Sequence, residues 1–223
     1  MKSVIFDMDG VLFLTERLGY TTGREVCRKH GMDLTMEEYN KFMAGKRTYD
    51  AARTYLENKK ADTTIAHVMV EEFRKMKRDV LKNRLKEEIV MRDGTIEMLE
   101  RLRPKYRIAL ATSSVKEFAL CILKGFGILD FFEVKLFAED VNRGKPDPEI
   151  YCKTLQRLGL DSSECVVVED SVNGINAAKA AGIKCIGIKS PEFNRNIKVA
   201  DVVIDGFGDL TPAFIEGLGK KTL

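Results

Sequence analysis

Two aspartates one residue apart, Asp7 and Asp9, end the apolar run Val4-Ile5-Phe6 and are followed by Gly10. An Asp-Gly pair also suits a plain turn or helix cap, so the pair gains meaning only from what joins it. Three other stretches carry comparable groups: Thr112-Ser113-Ser114, Gly144-Lys145-Pro146-Asp147-Pro148 and Glu169-Asp170-Ser171. Gathered together, the carboxylates of Asp7, Asp9, Glu169 and Asp170 would repel one another unless a hard divalent cation lay among them. Mg²⁺ is the usual choice when phosphate oxygens and water complete the shell. Thr112, Ser113 and Ser114 would offer hydroxyls and backbone N–H groups at a helix start, which suits a phosphate or an ordinary cap. Pro146 keeps Lys145 out of the helical region, and Asp147-Pro148 reads as N-cap and first residue of the next helix. The lysine is thus an extended cation able to neutralise phosphate and carboxylate together.

The elements that would position these groups follow from periodicity. Val4 to Phe6 forms a continuous apolar run with β-branched residues, the pattern of a strand buried on both faces of a parallel sheet. From 15 to 92 the pattern is helical, with segments Tyr20 to His30, Thr35 to Met43, Tyr49 to Asn58 and Ile65 to Lys86. Apolar stripes are expected from Val26, Phe42, Val68, Phe73 and Val80. From Asp93 onward, strands and helices alternate. Strands are expected at Tyr106 to Ala111, Glu133 to Ala138, Cys165 to Val168, Lys184 to Ile188 and Asp201 to Ile204. The intervening helices are Thr95 to Arg103, Val115 to Lys124, Asp147 to Leu158, Gly174 to Ala181 and Leu210 to Gly217.

This order implies an α/β fold: a doubly wound parallel sheet formed by 1–14 and 93–223, with a small helical cap inserted over 15–92. Ligands of such sheets lie beyond the carboxyl ends of the strands. All four polar stretches fall at or near those ends, so the topology brings them to one edge.

With 44% hydrophobic and 32% charged residues, the chain has the composition of a globular protein, and at 223 residues it can bury a sizeable core without staples. A net charge of +3 gives no support to nucleic-acid binding. No apolar run approaches the ~20 residues of a membrane span. Five scattered cysteines, none in a C-x-x-C pair, argue for reduced thiols in a cytoplasm, each expected as a small buried apolar group. The segment 15–92 holds 18 Lys or Arg against 13 Asp or Glu, a bias that could attract an anionic substrate to the sheet edge or merely be solvated.

The ordered set Asp7-Met8-Asp9-Gly10-Val11, Thr112-Ser113-Ser114, Gly144-Lys145-Pro146-Asp147-Pro148-Glu149 and Val168-Glu169-Asp170-Ser171 with Gly174-Ile175 resembles the haloacid dehalogenase superfamily. It is most similar to the β-phosphoglucomutase-like branch, whose helical cap follows the first strand. The resemblance implies that Asp7 is a nucleophile forming an aspartyl-phosphate, and that Asp9 protonates the leaving oxygen and then activates water. It further implies that Thr112, Ser113 and Lys145 hold the phosphoryl group, and that Mg²⁺ binds Asp7, the Asp9 carbonyl and Asp170 with Glu169 near or in the shell. Substrate selection would fall to cap residues Gly45, Lys46 and Arg47. Dehalogenases of the superfamily have no leaving oxygen to protonate, so Asp9 argues against that chemistry.

Departures from the branch pattern narrow the expectation. Leu14 stands where the branch has a hinge aspartate, and Gly19 and Thr48 stand where its mutases carry a histidine and an arginine. His30 and His67 fall elsewhere and read as surface or packing residues. The expected activity is an Mg²⁺-dependent phosphatase acting on a small phosphorylated metabolite such as a sugar phosphate. The alternatives are a β-phosphoglucomutase-type mutase, a phosphonate hydrolase using Lys46 as an imine-forming amine, and a non-catalytic binding protein.

Overall fold

The computed structural model of the chain describes residues 1–44, 46–191 and 196–220. Gly45, expected to contribute to substrate selection, lies outside them. The chain opens with β1 (Ser3–Phe6) and the two-residue β2 (Phe13–Leu14). Then come α1 (Glu16–Lys29), α2 (Met36–Glu38) running into a π-helical turn at Tyr39–Met43, α3 (Thr48–Asn58), α4 (Ala66–Asn83) and α5 (Leu85–Glu88). β3 (Val90–Met91) returns the chain to β2, pairing antiparallel with it through Phe13 to Met91 and Leu14 to Val90. After α6 (Thr95–Leu102) the alternation is β4 (Arg107–Ala111), α7 (Lys116–Gly125), β5 (Val134–Leu136), α8 (Glu149–Leu158), β6 (Cys165–Glu169), α9 (Val172–Ala180), β7 (Lys184–Ile188), β8 (Val202–Ile204) and α10 (Pro212–Lys220).

Six strands form one parallel sheet in the order β5-β4-β1-β6-β7-β8. Its strand residues alternate between two cores: Val4 and Phe6 of β1 and Val166 and Val168 of β6 pack on one face. Ile5, Cys165 and Val167 pack on the other with Ile150, Tyr151 and Ile175. Both faces are buried, which is why the sequence shows unbroken apolar runs rather than alternation. The chain winds outward through β4 and β5 on one side of β1, then restarts at β6 on the other, so the switch point lies between β1 and β6. A third core, built on Val26, Leu34, Tyr55, Leu56 and Met69, belongs to the helices between β2 and β3.

The helical insertion differs from the expected segments in ways its local chemistry explains. α1 begins at Glu16, four residues early, because Thr15 precedes an acidic first turn while Gly19 and Gly23 inside the helix blur its periodicity. The expected Thr35-to-Met43 helix begins with a capping box between Thr35 and Glu38 but widens into the π turn after three residues. The long fourth segment breaks at Arg84, whose φ of −142° is not helical. Val68 is 53% exposed and is not part of an apolar stripe. The strands β2 and β3, two residues each, are too short to show a period in sequence. β5 likewise contracts to Val134–Leu136, and β8 and α10 begin one and two residues later than expected. Pro148 rather than Asp147 takes the N-cap position of α8, and Asp147 Oδ1 instead accepts from Glu149 N at 3.0 Å.

Cys27, Cys165 and Cys185 are buried as expected, but Cys121 is only half-buried and Cys152 is exposed on α8. Among the described residues no helix is long and apolar enough to cross a membrane.

Arg92, at the return from the insertion, is 7% exposed and ties three carbonyls together. Its Nε donates to Val11 O at 2.8 Å, Nη2 to Gly10 O at 2.5 Å and Nη1 to Lys189 O at 3.0 Å. The guanidinium therefore fixes the loop that follows Asp7 and Asp9 against the end of β7. Replacing Arg92 with Met is expected to cost about 3 kcal/mol in urea unfolding through these buried acceptors; a loss below about 1 kcal/mol would contradict the assignment.

Candidate active site

Strand register brings the first acids together. Phe6 pairs with Val168 across β1 and β6, so Asp7 and Glu169 emerge side by side at the carboxyl ends, with Asp7 N bonded to Val168 O at 3.1 Å. On the other flank Phe6 pairs with Leu110, which delivers Ala111 and Thr112 to the same edge. Asp7, Glu169 and Asp170 each present a carboxylate oxygen within 4.8 Å of the others, and all three residues are buried.

Lys145 reaches into this group from the loop before α8. Its Nζ donates to Asp7 Oδ1 at 2.7 Å, Glu169 Oε1 at 2.6 Å and Ala111 O at 3.0 Å. That loop is held by Glu149, whose carboxylate accepts from Asn142 N and Arg143 N at 2.8 to 3.1 Å and from Lys153 Nζ at 2.7 Å. Those donors, Lys153 first, pull the Glu149 carboxyl down to about 2.

Burial pushes the Asp7 carboxyl well above its ordinary value; Lys145 opposes this, while Glu169 and Asp9 add to it. Burial would lower the Lys145 ammonium, but Asp7 and Glu169 outweigh it and raise it. The lysine is therefore charged, and three buried acids surround one cation. Glu169 is satisfied on both oxygens. Tyr151 Oη donates to Oε1 at 2.8 Å, and Asp170 N, Ser171 N and Ser171 Oγ donate to Oε2 at 3.1, 3.3 and 3.2 Å.

Close approach here depends on two glycines. A Cβ on Gly10, whose φ is +79°, would overlap the Asp170 carboxylate, and one on Gly174 would overlap that of Glu169. Ser171, not Asp170, caps α9 by accepting from Gly174 N at 3.0 Å. The Asp170 side chain is thereby kept for the acid cluster.

Asp9 is turned to a set of hydroxyls. Thr15 donates to Oδ1 at 2.5 Å, and Thr112 and Ser114 donate to Oδ2 at 3.2 and 2.7 Å. Thr15 begins the helical insertion, whereas Thr112 and Ser114 follow β4, so both sides of the cleft orient this carboxylate. Ser113 lines the same cavity, of about 400 Å³, together with Asp7, Asp9, Lys145 and Asp170. The insertion forms its far wall, where Lys46 also appears. Arg47 instead bridges to the sheet side, its Nη1 donating to Asn142 O at 2.6 Å.

Several members of the site escaped sequence reasoning. Tyr151 sits on the buried face of α8 beside Ile150, Thr154 and Leu158, where nothing in the local sequence sets it apart from core. Lys77 belongs to a run of charges, Arg74, Lys75, Lys77 and Arg78, in the basic segment for which substrate attraction and mere solvation both stand open in sequence, and it lines the cavity. Arg92 stood alone in sequence and carried no motif. The two histidines pack elsewhere, His30 against Glu72 at 3.1 Å and His67 on the Tyr49 ring at 4.6 Å.

A family model described as haloacid dehalogenase-like hydrolase matches residues 4–188. The phosphorylated carbohydrates phosphatase of Thermotoga maritima is 35% identical over 187 residues, covering 83% of this chain and 84% of that protein. The crystal structure of CbbY from Rhodobacter sphaeroides in complex with phosphate is similar, with a TM-score of 0.80 at 26% identity over 97% of this chain and 99% of that one. In fold, the chain is also similar to β-phosphoglucomutase from Clostridium difficile, with a TM-score of 0.87 at 23% identity over 99% and 98% of the two chains.

Removing one partner from a buried ion pair leaves uncompensated charge, a cost of about 3–5 kcal/mol. Lys145→Ala is expected to show a loss of that size in urea unfolding near neutral pH. Unchanged stability would mean that the lysine does not neutralise the acids.

Proposed function

Since the chain belongs to the haloacid dehalogenase-like hydrolase family, we propose that it is a phosphatase of small phosphorylated carbohydrates, working through a phosphorylated Asp7. The observation that carries this reading is the Lys145 ammonium seated between Asp7 and Glu169 at the switch point of the sheet, with Asp9 two residues on and held by hydroxyls from both walls. The name of the Thermotoga maritima relative supports the substrate class.

On this route Asp7 attacks phosphorus in line with the ester oxygen. The P–O bond to the alcohol breaks, and Asp9 gives the departing oxygen its proton. Asp9 then takes a proton from water, whose oxygen attacks the phosphorus of the aspartyl-phosphate and frees Asp7. Lys145 neutralises the nucleophile and the transferring phosphoryl oxygens, while Glu169 and Tyr151 keep its ammonium in place. Ser113 lines the cavity and is the hydroxyl left for the phosphoryl group, since the first N–H of α7, at Lys116, is taken by the Glu139 carboxylate. Thr112 and Ser114 act first on Asp9, which gives the hydroxyl cluster a different task from simple phosphate binding.

Three buried carboxylates with mutually close oxygens and one ammonium fit a hard divalent cation. Asp7 and Asp170 would hold Mg²⁺ with the Asp9 carbonyl, and Glu169, already fully hydrogen-bonded, would stand next to the shell. When bound, the ion supplies positive charge that lets Asp7 and a phosphate dianion approach each other. The helices between β2 and β3 act as the cap that closes over the leaving group, and the β2–β3 pair joins the two parts.

Purified protein with Mg²⁺ is expected to release inorganic phosphate from small sugar phosphates, and both Asp7→Asn and chelation by EDTA reduce this to background. Conversion of β-glucose 1-phosphate into glucose 6-phosphate with little phosphate release would instead establish a mutase.

A further inference from the structure

The sequence places Arg47 among the residues that choose the substrate, yet the cavity around Asp7 is lined by Lys46 and Thr48 and not by Arg47. The arginine crosses instead to the loop before α8, where Nη1 donates to Asn142 O at 2.6 Å. Its stem lies on Gly144 of the same loop: a Cβ there would stand 2.5 Å from Arg47 Cδ and 2.6 Å from Cγ. Gly144 does not adopt a left-handed φ, so its missing Cβ serves the arginine rather than the backbone. The next residue is Lys145.

The loop is thus gripped by both parts of the molecule. From α8, the Glu149 carboxylate accepts from Asn142 N and Arg143 N. From the insertion, Arg47 takes the Asn142 carbonyl and covers Gly144. Arg47 is itself well anchored, being the N-cap residue of α3, with its carbonyl accepting from Ala51 N at 2.9 Å. The insertion is seated on α7 as well, where Leu85 covers Gly125, and Val80 and Leu81 join the core of the sheet. A charged donor on a carbonyl makes a stronger bond than a neutral one, and the packed stem adds contact area. Lys145 needs such support because its ammonium must meet Asp7, Glu169 and Ala111 O at once. Misplacing a catalytic group by about 1 Å can cost about a hundredfold in rate.

We propose that Arg47 is a positioning residue: from the insertion it braces Asn142 and Gly144, and so fixes where the Lys145 ammonium stands against Asp7 and the transferring phosphoryl group. The role rests on the phosphatase reading above and gives Arg47 a part in turnover, not in substrate choice. An arginine that touched the substrate would act through KM and on some substrates more than others. A merely structural tie would lower stability and leave turnover unchanged.

The test is steady-state kinetics of Arg47→Met, which keeps the stem on Gly144 and loses the bond, on fructose 1-phosphate and on p-nitrophenyl phosphate, together with peptide-level hydrogen exchange over 142–147. On both substrates kcat should fall about tenfold, as expected for one lost hydrogen bond from a charged donor, with KM changed less than about twofold. Exchange over 142–147 should quicken about fivefold while β1 and β6 keep their protection. Arg47→Lys, which offers the carbonyl a single donor, should recover part of kcat. Gly144→Ala, which displaces the stem, should repeat the loss, and it carries the same expectation if Arg47→Met lowers the melting temperature markedly. Unchanged kcat, a loss expressed mainly in KM or on one substrate alone, or unaltered exchange over 142–147 would overturn the proposal while leaving the phosphatase reading in place. A wild-type protein that releases phosphate from neither substrate would overturn the two together.

Discussion

One ammonium among buried carboxylates is the constraint on which the rest of this site depends. Asp7 and Glu169 are forced together by the register of β1 and β6, and Asp170 follows immediately. Ionised, unpaired acids in that position would cost more than a marginally stable fold can supply. Lys145 offsets part of this, and the loop carrying it is arranged around that single contact: Glu149 binds the loop backbone on one side, and Tyr151 shares the Glu169 oxygen that Lys145 uses. What Lys145 does not neutralise is the capacity of the site for a divalent cation and a phosphate.

The arrangement also separates two aspartates that are almost adjacent in sequence. Asp7 points into the charged, buried cluster, whereas Asp9 points to three hydroxyls, one of them Thr15 at the root of the helical insertion. Similar acids are given different surroundings, and different surroundings are what allow different roles. Arg92 secures the turn between them and the insertion by binding the carbonyls of Gly10 and Val11. The nucleophile and the general acid proposed here are therefore referenced to the same rigid loop.

The sheet and the four polar stretches at its edge were legible in the sequence because parallel strands buried on both faces leave long apolar runs, and because Asp-x-Asp-Gly, Lys-Pro-Asp-Pro and Glu-Asp-Ser interrupt those runs at their ends. Cys165–Glu169 and Lys184–Ile188 lie within one residue of expectation for this reason. The insertion was less legible. Its α3 and α4 begin within one residue of expectation, but α1 contains two glycines and Tyr39–Met43 changes helical pitch, which blurs the 3.6-residue period there. Tyr151, Arg92 and Lys77 were hidden for another reason: each works through a tertiary contact with a residue between 18 and 97 positions away, and local sequence carries no trace of such partners. Cys152 and Val68, placed inside by residue type, are outside because helix rotation, not hydrophobicity alone, decides exposure.

The central claim is that Asp7 itself carries the phosphoryl group. The most direct test is a borohydride quench of the enzyme during steady turnover, followed by peptide mass spectrometry, since hydride reduces an acyl phosphate to the alcohol and converts the modified aspartate to homoserine. The account predicts homoserine at position 7 and at no other aspartate or glutamate. Steady phosphate release with unmodified Asp7, or with the reduced residue elsewhere, would contradict it.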